Sequence, residues 1–263
     1  MVVKQSSKQA KLLAKYKASI VARHKLRKWY TTPLGNATAR EEDRILTKIL
    51  PELFGYHLVQ LSAHRNSDYL DSSLIRHKLI LDHDDTHSQC RINLHANVQN
   101  IPISSDSVDV VVLPHTLDID MSPHQVLRET DRILVPEGRV IIVGFNPWSS
   151  WGLRHLMNLW KGASPYSLRF ISPTRVKDWI TLLGFEIESV NTFYFRPPIS
   201  NEFFINKCQF FDKLGEKAWP AFGGIYILVA RKQVTKLTPI KPRWFLRRRT
   251  SVTPGFLETR NGK

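Results

Sequence analysis

The sequence predicts an α/β fold built on a mostly parallel sheet with helices on its faces. The prediction depends first on residues 105–148, which read as strand, loop, helix, turn and strand, a complete βαβ unit. The runs 108–113 and 140–143 are almost wholly apolar and rich in β-branched residues, which is typical of strands buried on both faces. Between them an apolar stripe recurs at helical spacing, formed by Val126, Leu127, Thr130, Ile133 and Leu134.

The ends of this helix carry their own signals. Ser122 followed by Pro123, with Gln125 three residues after the serine, predicts a capping box at the start. Pro136 and Gly138 predict the end of the helix before the second strand. Local propensity, capping and apolar pattern therefore agree over the whole unit.

The other elements follow along the chain. The patterns predict helices at 8–30, 36–53 (ended or kinked by Pro51), 68–75 and 172–184, with a turn at 31–35. They predict further strands at 56–61, 77–81, 91–94, 185–195 and 225–230.

Size and cysteine content limit the class of protein. The chain has 263 residues and 42% hydrophobic residues, enough for one large α/β domain or two small ones with a real core. No apolar run approaches the roughly 20 residues that a transmembrane helix needs, and the first residues do not resemble a secretory signal. The two cysteines, Cys90 and Cys208, argue against a disulfide framework or a zinc site, so we expect a cytoplasmic protein.

The net charge of +15 lies at the two ends of the chain. Residues 1–30 hold nine Lys/Arg and no acid, and residues 231–263 hold ten Lys/Arg and one acid, which leaves −3 for residues 31–230. We expect a basic N-terminal helical arm at 1–30, a folded α/β domain at 31–233 and a basic, disordered tail at 234–263. The arms are either contacts for nucleic acid or an anionic membrane surface, or solubilising tails.

Ligands of open parallel sheets bind beyond the carboxyl ends of the strands, so the residues after each strand are the candidates for a site. These segments are 62–65, 82–85, 97–100, 114–118 and 146–148. At the end of the second strand, Asp82 is placed to accept both hydroxyls of a ribose, or is a solvated loop aspartate.

The segment 101–147 resembles the class I S-adenosylmethionine-dependent methyltransferases of the methyltransferase-11 type. The residues that carry the resemblance are Ile101-Pro102, Ser107-Val108-Asp109, His115-Thr116-Leu117, Pro123, Leu127-Arg128-Glu129, Arg132-Ile133-Leu134, Pro136-Glu137-Gly138 and Asn146-Pro147. A bacterial branch without known activity is most similar, through its WYTTPLG-like start, its GFNPWS and SPY segments and its basic tail.

The resemblance implies a Rossmann-like, seven-stranded sheet whose last strand, 225–230, lies antiparallel beside 186–193. It also implies S-adenosyl-L-methionine as cofactor. The residues that would contact the cofactor are Ser62, Ala63, Asp82, Asn97, Val98, Pro114 and His115.

The sequence departs from the family pattern in the cofactor half. The family's first loop is rich in glycine, which lets the backbone approach the methionine part of the cofactor. No GxG occurs here, and the first strand runs into Ser62 and Ala63. Asn97 stands where the family often has an aspartate near the adenine amino group. Either the cofactor pocket is modified or cofactor binding is lost.

Methyl transfer requires alignment in a desolvated pocket, and a base only when the acceptor must lose a proton. His115 is placed for that role, or it packs against the adenine or a helix end. Asp118, Asn146 and Trp148 are candidates for binding an acceptor, which is a small molecule or RNA.

Two functions therefore stay open: a methyltransferase, and a catalytically silent methyltransferase fold that binds RNA or a protein partner through its basic arms. A nicotinamide dehydrogenase is disfavoured because GxGxxG is absent.

Overall fold

The structure is a computed structural model that describes residues 17–62, 68–82, 93–158, 168–198, 212, 215 and 219–233. Seven strands form one sheet in the order β3-β2-β1-β4-β5-β7-β6. The strands are β1 (His57–Leu61), β2 (His77–Asp82), β3 (Leu94–His95), β4 (Val108–Pro114), β5 (Leu134–Phe145), β6 (Phe185–Phe193) and β7 (Ile225–Lys232).

The sheet has the predicted strand directions. β1 runs parallel to β2 and β4, and the pairs β2–β3 and β4–β5 are also parallel. Only β7 is antiparallel to its neighbours, β5 and β6. The Rossmann-like, mostly parallel sheet with an antiparallel last strand is therefore confirmed, and its topological switch point lies between β1 and β4.

Helices cover both faces of this sheet. They are α1 (residues 17–30), α2 (Pro33–Ile49), α3 (Thr116–Ile119), α4 (Pro123–Ile133), α5 (Ser150–Asn158) and α6 (Pro173–Leu182). Along β4, Val110 and Val112 face the core under α1 and α2, while Val111 and Leu113 face the core under α4 and α6. A strand that is buried on both faces produces the continuous apolar run seen in the sequence.

Helix α2 begins three residues earlier than the predicted 36–53, so the predicted turn at 31–35 is confined to residues 31–32. The Thr32 hydroxyl accepts a hydrogen bond from the Gly35 amide at 3.2 Å, and Pro33 occupies the first helical position. Threonine as N-cap and proline at N1 together start the helix there. A 3₁₀ turn, Leu50–Glu52, follows α2 and contains Pro51.

The capping box predicted at Ser122 is also wrong, although α4 does begin at Pro123. The Ser122 side chain makes no capping hydrogen bond. Instead its backbone N–H donates to the Asp120 carboxylate at 2.7 Å, and its carbonyl accepts from the Gln125 amide at 2.9 Å. The aspartate two residues earlier therefore fixes the entry into the helix.

Other boundaries also differ from the predicted ones. β5 begins at Leu134, directly after α4, and its pairing with β4 shifts register between 108 and 110. The helices α3 and α5 were not predicted. The N-terminal part of the 8–30 helix, residues 91–92 of the third strand and the tail 234–263 lie outside the described residues.

Helix α1 belongs to the core of the domain. Trp29 is 6% exposed, and its ring meets the rings of Tyr30, Phe145 and Trp151 edge-on at 4.9, 5.8 and 5.8 Å between centroids. Leu26 is fully buried in the same cluster. Edge-to-face contacts at these distances are favourable, so the end of α1 is fixed on the sheet. In the described part of the chain, no helix has the length and apolar character to cross a membrane.

Replacement of Trp29 tests this packing. We expect Trp29→Ala to lower the free energy of unfolding by about 3–5 kcal/mol, because it leaves a cavity among three aromatic rings. Urea denaturation measures the change. The control is Tyr56→Ala, since Tyr56 is 81% exposed and its loss should change stability by less than about 0.5 kcal/mol. Equal effects of the two substitutions would contradict the packing described.

Candidate functional site

The predicted site residues converge on the carboxyl edge of the sheet at the switch point. The Ser62 amide donates to the Leu81 carbonyl at 2.8 Å, so the residues after β1 and β2 are neighbours. The Thr116 hydroxyl donates to the Leu61 carbonyl at 2.7 Å and fixes the residues after β4 against β1. Three strand ends therefore form one continuous rim.

Ser62 takes the backbone conformation for which the family uses glycine. It is fully buried, with a φ of 78°, in the left-handed region that residues other than Gly, Asn and Asp seldom adopt. Its hydroxyl has no hydrogen-bond partner within the described residues. A buried, unsatisfied hydroxyl is unfavourable, so Ser62 offers a polar group to a ligand or water at this point. Ala63 lies outside the described residues.

Asp82 is fully buried at the end of β2 and is paired with two arginines of α1. Arg23 donates to one carboxylate oxygen, and Arg27 donates to the other at 2.8 Å. The solvated-loop interpretation of Asp82 is therefore wrong. In this arrangement guanidinium groups occupy the hydrogen-bonding positions that ribose hydroxyls would take.

The residues after β3 are folded back on themselves. The Asn97 side-chain oxygen accepts from the Gln99 amide at 2.9 Å, and Val98 is 2% exposed. The Gln99 side chain donates to the Asp120 carboxylate at 2.8 Å. Asn97 thus uses its acceptor in a local turn, and Val98 presents an apolar surface beside it.

Little space is left between this loop and α1. A cavity of about 20 Å³ lies there, lined by Ser19, Ile20, Arg23, Asn97, Val98, Gln99 and Asp120. That volume holds about one water molecule, whereas pockets for cofactors and drug-sized ligands begin at roughly 300 Å³. With α1 in place, this cavity among the described residues is too small for S-adenosylmethionine.

His115 is the centre of a buried polar chain below the rim. It is fully buried, has a φ of 51° and stacks against Phe145 at 4.2 Å between ring centroids. Its two ring nitrogens lie 3.0 Å from the Asp118 carboxylate and 3.1 Å from the Glu42 carboxylate. The Tyr30 hydroxyl also lies within hydrogen-bonding distance of Glu42, 2.8 and 3.0 Å from its two carboxylate oxygens.

The carboxylates of Glu42 and Asp118 keep His115 protonated. Burial by itself lowers the pKa of His115, but the adjacent Glu42 and Asp118 outweigh it and raise the pKa from 6.5 to about 9. Burial raises the pKa of the Asp118 carboxyl, opposed by the hydrogen bonds that Asp118 accepts from His115 and the Phe145 amide. An imidazolium enclosed by two carboxylates is not a base at neutral pH, so the geometry favours a packing role for His115 over general-base catalysis.

The residues predicted to bind an acceptor are in two different settings. Asp118 is 2% exposed and faces the polar chain. The Asn146 amide donates to the Ala221 and Gly223 carbonyls at 2.8 and 2.9 Å, which makes it a brace between β5 and the turn before β7. Trp148 is 68% exposed and lines an open cleft of about 910 Å³. Only Trp148 of the three presents its side chain to solvent.

Three important residues were missed by the sequence analysis. Arg23 lies on the buried stripe of α1, four residues after Ser19 and three before Leu26. Glu42 stands likewise between Thr38 and Leu46 on the buried face of α2, and Arg27 follows Arg23 by one turn. The available signal was a charged residue at a position where the helical period predicts an apolar one.

The pH dependence of stability tests the polar chain. His115 has a folded pKa of about 9, above its unfolded value of 6.5, so its contribution is complete below about pH 6.5 and disappears as the pH rises through about 9. We expect the stability advantage of the wild type over His115→Gln to fall by about 3 kcal/mol across this window. Urea denaturation at several pH values measures it.

Glu42→Gln is the matched variant, because it keeps the shape and removes the charge that contributes most to raising the pKa of His115. The variant should show a shallower pH dependence than the wild type. Parallel curves for the wild type and His115→Gln would contradict the proposed protonation of His115.

Comparisons with known proteins bear on the family and the fold. A sequence profile for a methyltransferase domain matches residues 68–142. The chain is 30% identical over 210 residues to YafS, an uncharacterised protein of Escherichia coli strain K12, which covers 80% of this chain and 82% of YafS.

Among solved structures, the fold is similar to an S-adenosylmethionine-dependent methyltransferase of Thermotoga maritima, with a TM-score of 0.58, 17% identity, and coverage of 78% of this chain and 93% of that one. It is also similar to such an enzyme of Archaeoglobus fulgidus, with a TM-score of 0.50, 16% identity, and coverage of 73% and 94%. At these identities the structures establish the fold. The chain therefore belongs to the same family as YafS, has the fold of the S-adenosylmethionine-dependent methyltransferases, and matches the methyltransferase-11 domain over residues 68–142.

Proposed function

We propose that the protein binds S-adenosylmethionine and transfers its methyl group directly to an acceptor. The observation that carries the proposal is the rim at the switch point, where buried Ser62 and Asp82 lie side by side at the carboxyl ends of β1 and β2. The cofactor would supply an activated methyl group. Asp82 would accept hydrogen bonds from the ribose hydroxyls, and Asn97 would accept one from the adenine amino group. Val98 would pack against the adenine.

This function requires the first part of α1 to leave the rim. Arg23 and Arg27 satisfy both oxygens of Asp82, and the cavity of about 20 Å³ that the described residues leave beside α1 is too small for the cofactor. Leu26 and Trp29 anchor the end of α1 in the core, so residues 17–25 can open, with Arg27 released from Asp82, without removal of the whole helix. The proposal includes a cytoplasmic location and a division into an arm at 1–30, a methyltransferase-like domain at 31–233 and a tail at 234–263, in which the end of the arm packs on the domain.

Cofactor binding tests the proposal. We expect calorimetry with S-adenosylmethionine or its demethylated product to show at least about tenfold tighter binding to Arg23→Gln/Arg27→Gln than to the wild type. The reason is that the double variant no longer has to break two ion pairs to free Asp82. Lys25→Gln is the control, since Lys25 is exposed on the same helix.

A third substitution, Asp82→Asn, introduced into the double variant should weaken binding again, because an amide accepts fewer hydrogen bonds than a carboxylate. Thermal unfolding establishes that each variant is folded. An absence of binding at millimolar cofactor in every folded variant would contradict the methyltransferase proposal.

The second candidate function is a catalytically silent methyltransferase fold that binds RNA or a protein through its basic arms. The observation that favours it is the closed rim, in which the acid of the ribose site is already neutralised by arginine. The distribution of charge supports RNA, since the ends carry +18 and the middle −3.

The salt dependence of RNA binding tests whether the C-terminal arm contacts phosphates. If it binds RNA, replacement of Arg247, Arg248 and Arg249 by alanine should reduce the slope of log K against log salt by about 2, since each phosphate contact on a single strand contributes roughly 0.7. Filter retention of a labelled oligoribonucleotide measures the slope. An unchanged slope would argue that this arginine run makes no phosphate contact.

A further inference from the structure

An open cleft lies at the end of the edge strand β6, away from the small cavity beside α1. We call it the β6 cleft; its volume is about 910 Å³, within the range of ligand pockets. Its walls come from α2, the start of α6, the end of β6, the residues after β5 and the turn before β7. The side chains that matter below are Arg44, Lys48, Trp148, Lys177, Asn191 and Phe222.

The charged side chains of the β6 cleft are all positive. Arg44, Lys48 and Lys177 line it, and no acidic residue is among its lining residues in the described part of the chain. Arg44 is paired with Glu41 at 2.7 Å, whereas Lys48 and Lys177 have no ion-pair partner among the described residues. Two unpaired ammonium groups in one concave surface attract an anion. The body of the protein has a net negative charge, so this positive cleft is a local exception.

Two aromatic rings stand open on the same surface. Trp148 is 68% exposed and Phe222 is 57% exposed. Single exposed apolar residues are common and require no explanation, but both of these rings line one cleft beside two lysines. Exposed rings within a positive groove are the surface on which nucleic acid bases stack while phosphates meet the cations.

A polar group for the edge of a base is also present. Asn191 is exposed near the end of β6, and among the described residues its side-chain amide makes no hydrogen bond. An amide both donates and accepts, as the edge of a base requires. Cations, rings and a free amide thus occur together on one concave surface.

We propose that the β6 cleft binds a nucleotide unit, with the base stacked on Trp148 or Phe222 and the phosphate held by Lys48 and Lys177. The unit is either a free nucleotide or one residue of a single strand, since both offer the same chemistry. The site concerns a ligand other than the methyl donor and does not depend on cofactor binding.

The test measures binding without cofactor. Fluorescence anisotropy follows a fluorescein-labelled single-stranded hexaribonucleotide, with unlabelled hexamer and nucleoside monophosphate as alternative competing ligands. We expect Lys48→Gln/Lys177→Gln to weaken binding and to reduce the salt slope by about 0.7, since both lysines hold the same phosphate. Trp148→Ala should weaken binding by at least about fivefold through lost stacking.

Matched controls lie elsewhere on the surface. Arg76→Gln/Arg128→Gln removes two exposed positive charges outside the cleft, and Tyr56→Ala removes a ring that is 81% exposed. Both should bind as the wild type does. All variants alter exposed or half-exposed side chains, and thermal unfolding establishes that they are folded.

Each outcome decides the proposal. Loss of binding in the cleft variants supports it; displacement by the monophosphate then indicates a free nucleotide, and displacement by the hexamer alone indicates a single strand. Binding that is unchanged in the cleft variants places the ligand on the basic arms and overturns the proposal. The proposal is also overturned if neither the hexamer nor the monophosphate binds the folded wild type at millimolar concentration. Because the binding assay contains no cofactor, its result can be interpreted even if the methyltransferase proposal fails.

Discussion

The ion pairs of Asp82 with Arg23 and Arg27 hold helix α1 over the carboxyl edge of the sheet. Burial of an isolated carboxylate or guanidinium is strongly unfavourable, so each of these groups depends on the others. Removal of the carboxylate would leave two cations close together, and removal of the arginines would leave an uncompensated charge at the end of β2. The closed state of the rim is thus a consequence of electrostatics that involves residues 55 and 59 positions apart.

The buried polar chain centred on His115 fixes the elements below the rim. Tyr30 comes from α1, Glu42 from α2 and His115 from the residues after β4, so the chain joins three elements distant in sequence. A buried network whose members are hydrogen bonded is stiff and specifies one arrangement. It also explains why His115 stays in the left-handed region at a φ of 51°, since its ring is fixed from both nitrogens and from the Phe145 ring.

Much of the fold could be predicted because burial leaves a local signature. The β-branched run of β4 and the serine–proline start of α6 identified these elements directly, and the Ser172 side chain does cap α6. Placing Ser62, Asp82 and His115 at one edge followed from the geometry of a parallel sheet.

The contents of the site could not be predicted in the same way. Arg23 and Arg27 stand on the apolar stripe of α1, which is a signal of burial, but nothing local identifies a partner more than 50 residues away. The absence of glycine after β1 was misleading about the backbone there, because Ser62 adopts a positive φ of 78° without it. Tertiary contacts there override the local preference that sequence reasoning uses.

Helix α1 is attached by two unlike kinds of contact, with charge along residues 23–27 and aromatic rings at 29–30. Its arginines are therefore an internal competitor for Asp82, tethered to the site at an effective concentration on the millimolar scale or above. Any ligand that needs this carboxylate has an observed dissociation constant equal to its intrinsic one divided by the fraction of open molecules. If one molecule in about a hundred is open, the observed affinity is about a hundredfold lower than the rim itself would provide. The affinity of this edge is then set as much by how firmly the chain holds its own helix as by the residues that face the ligand.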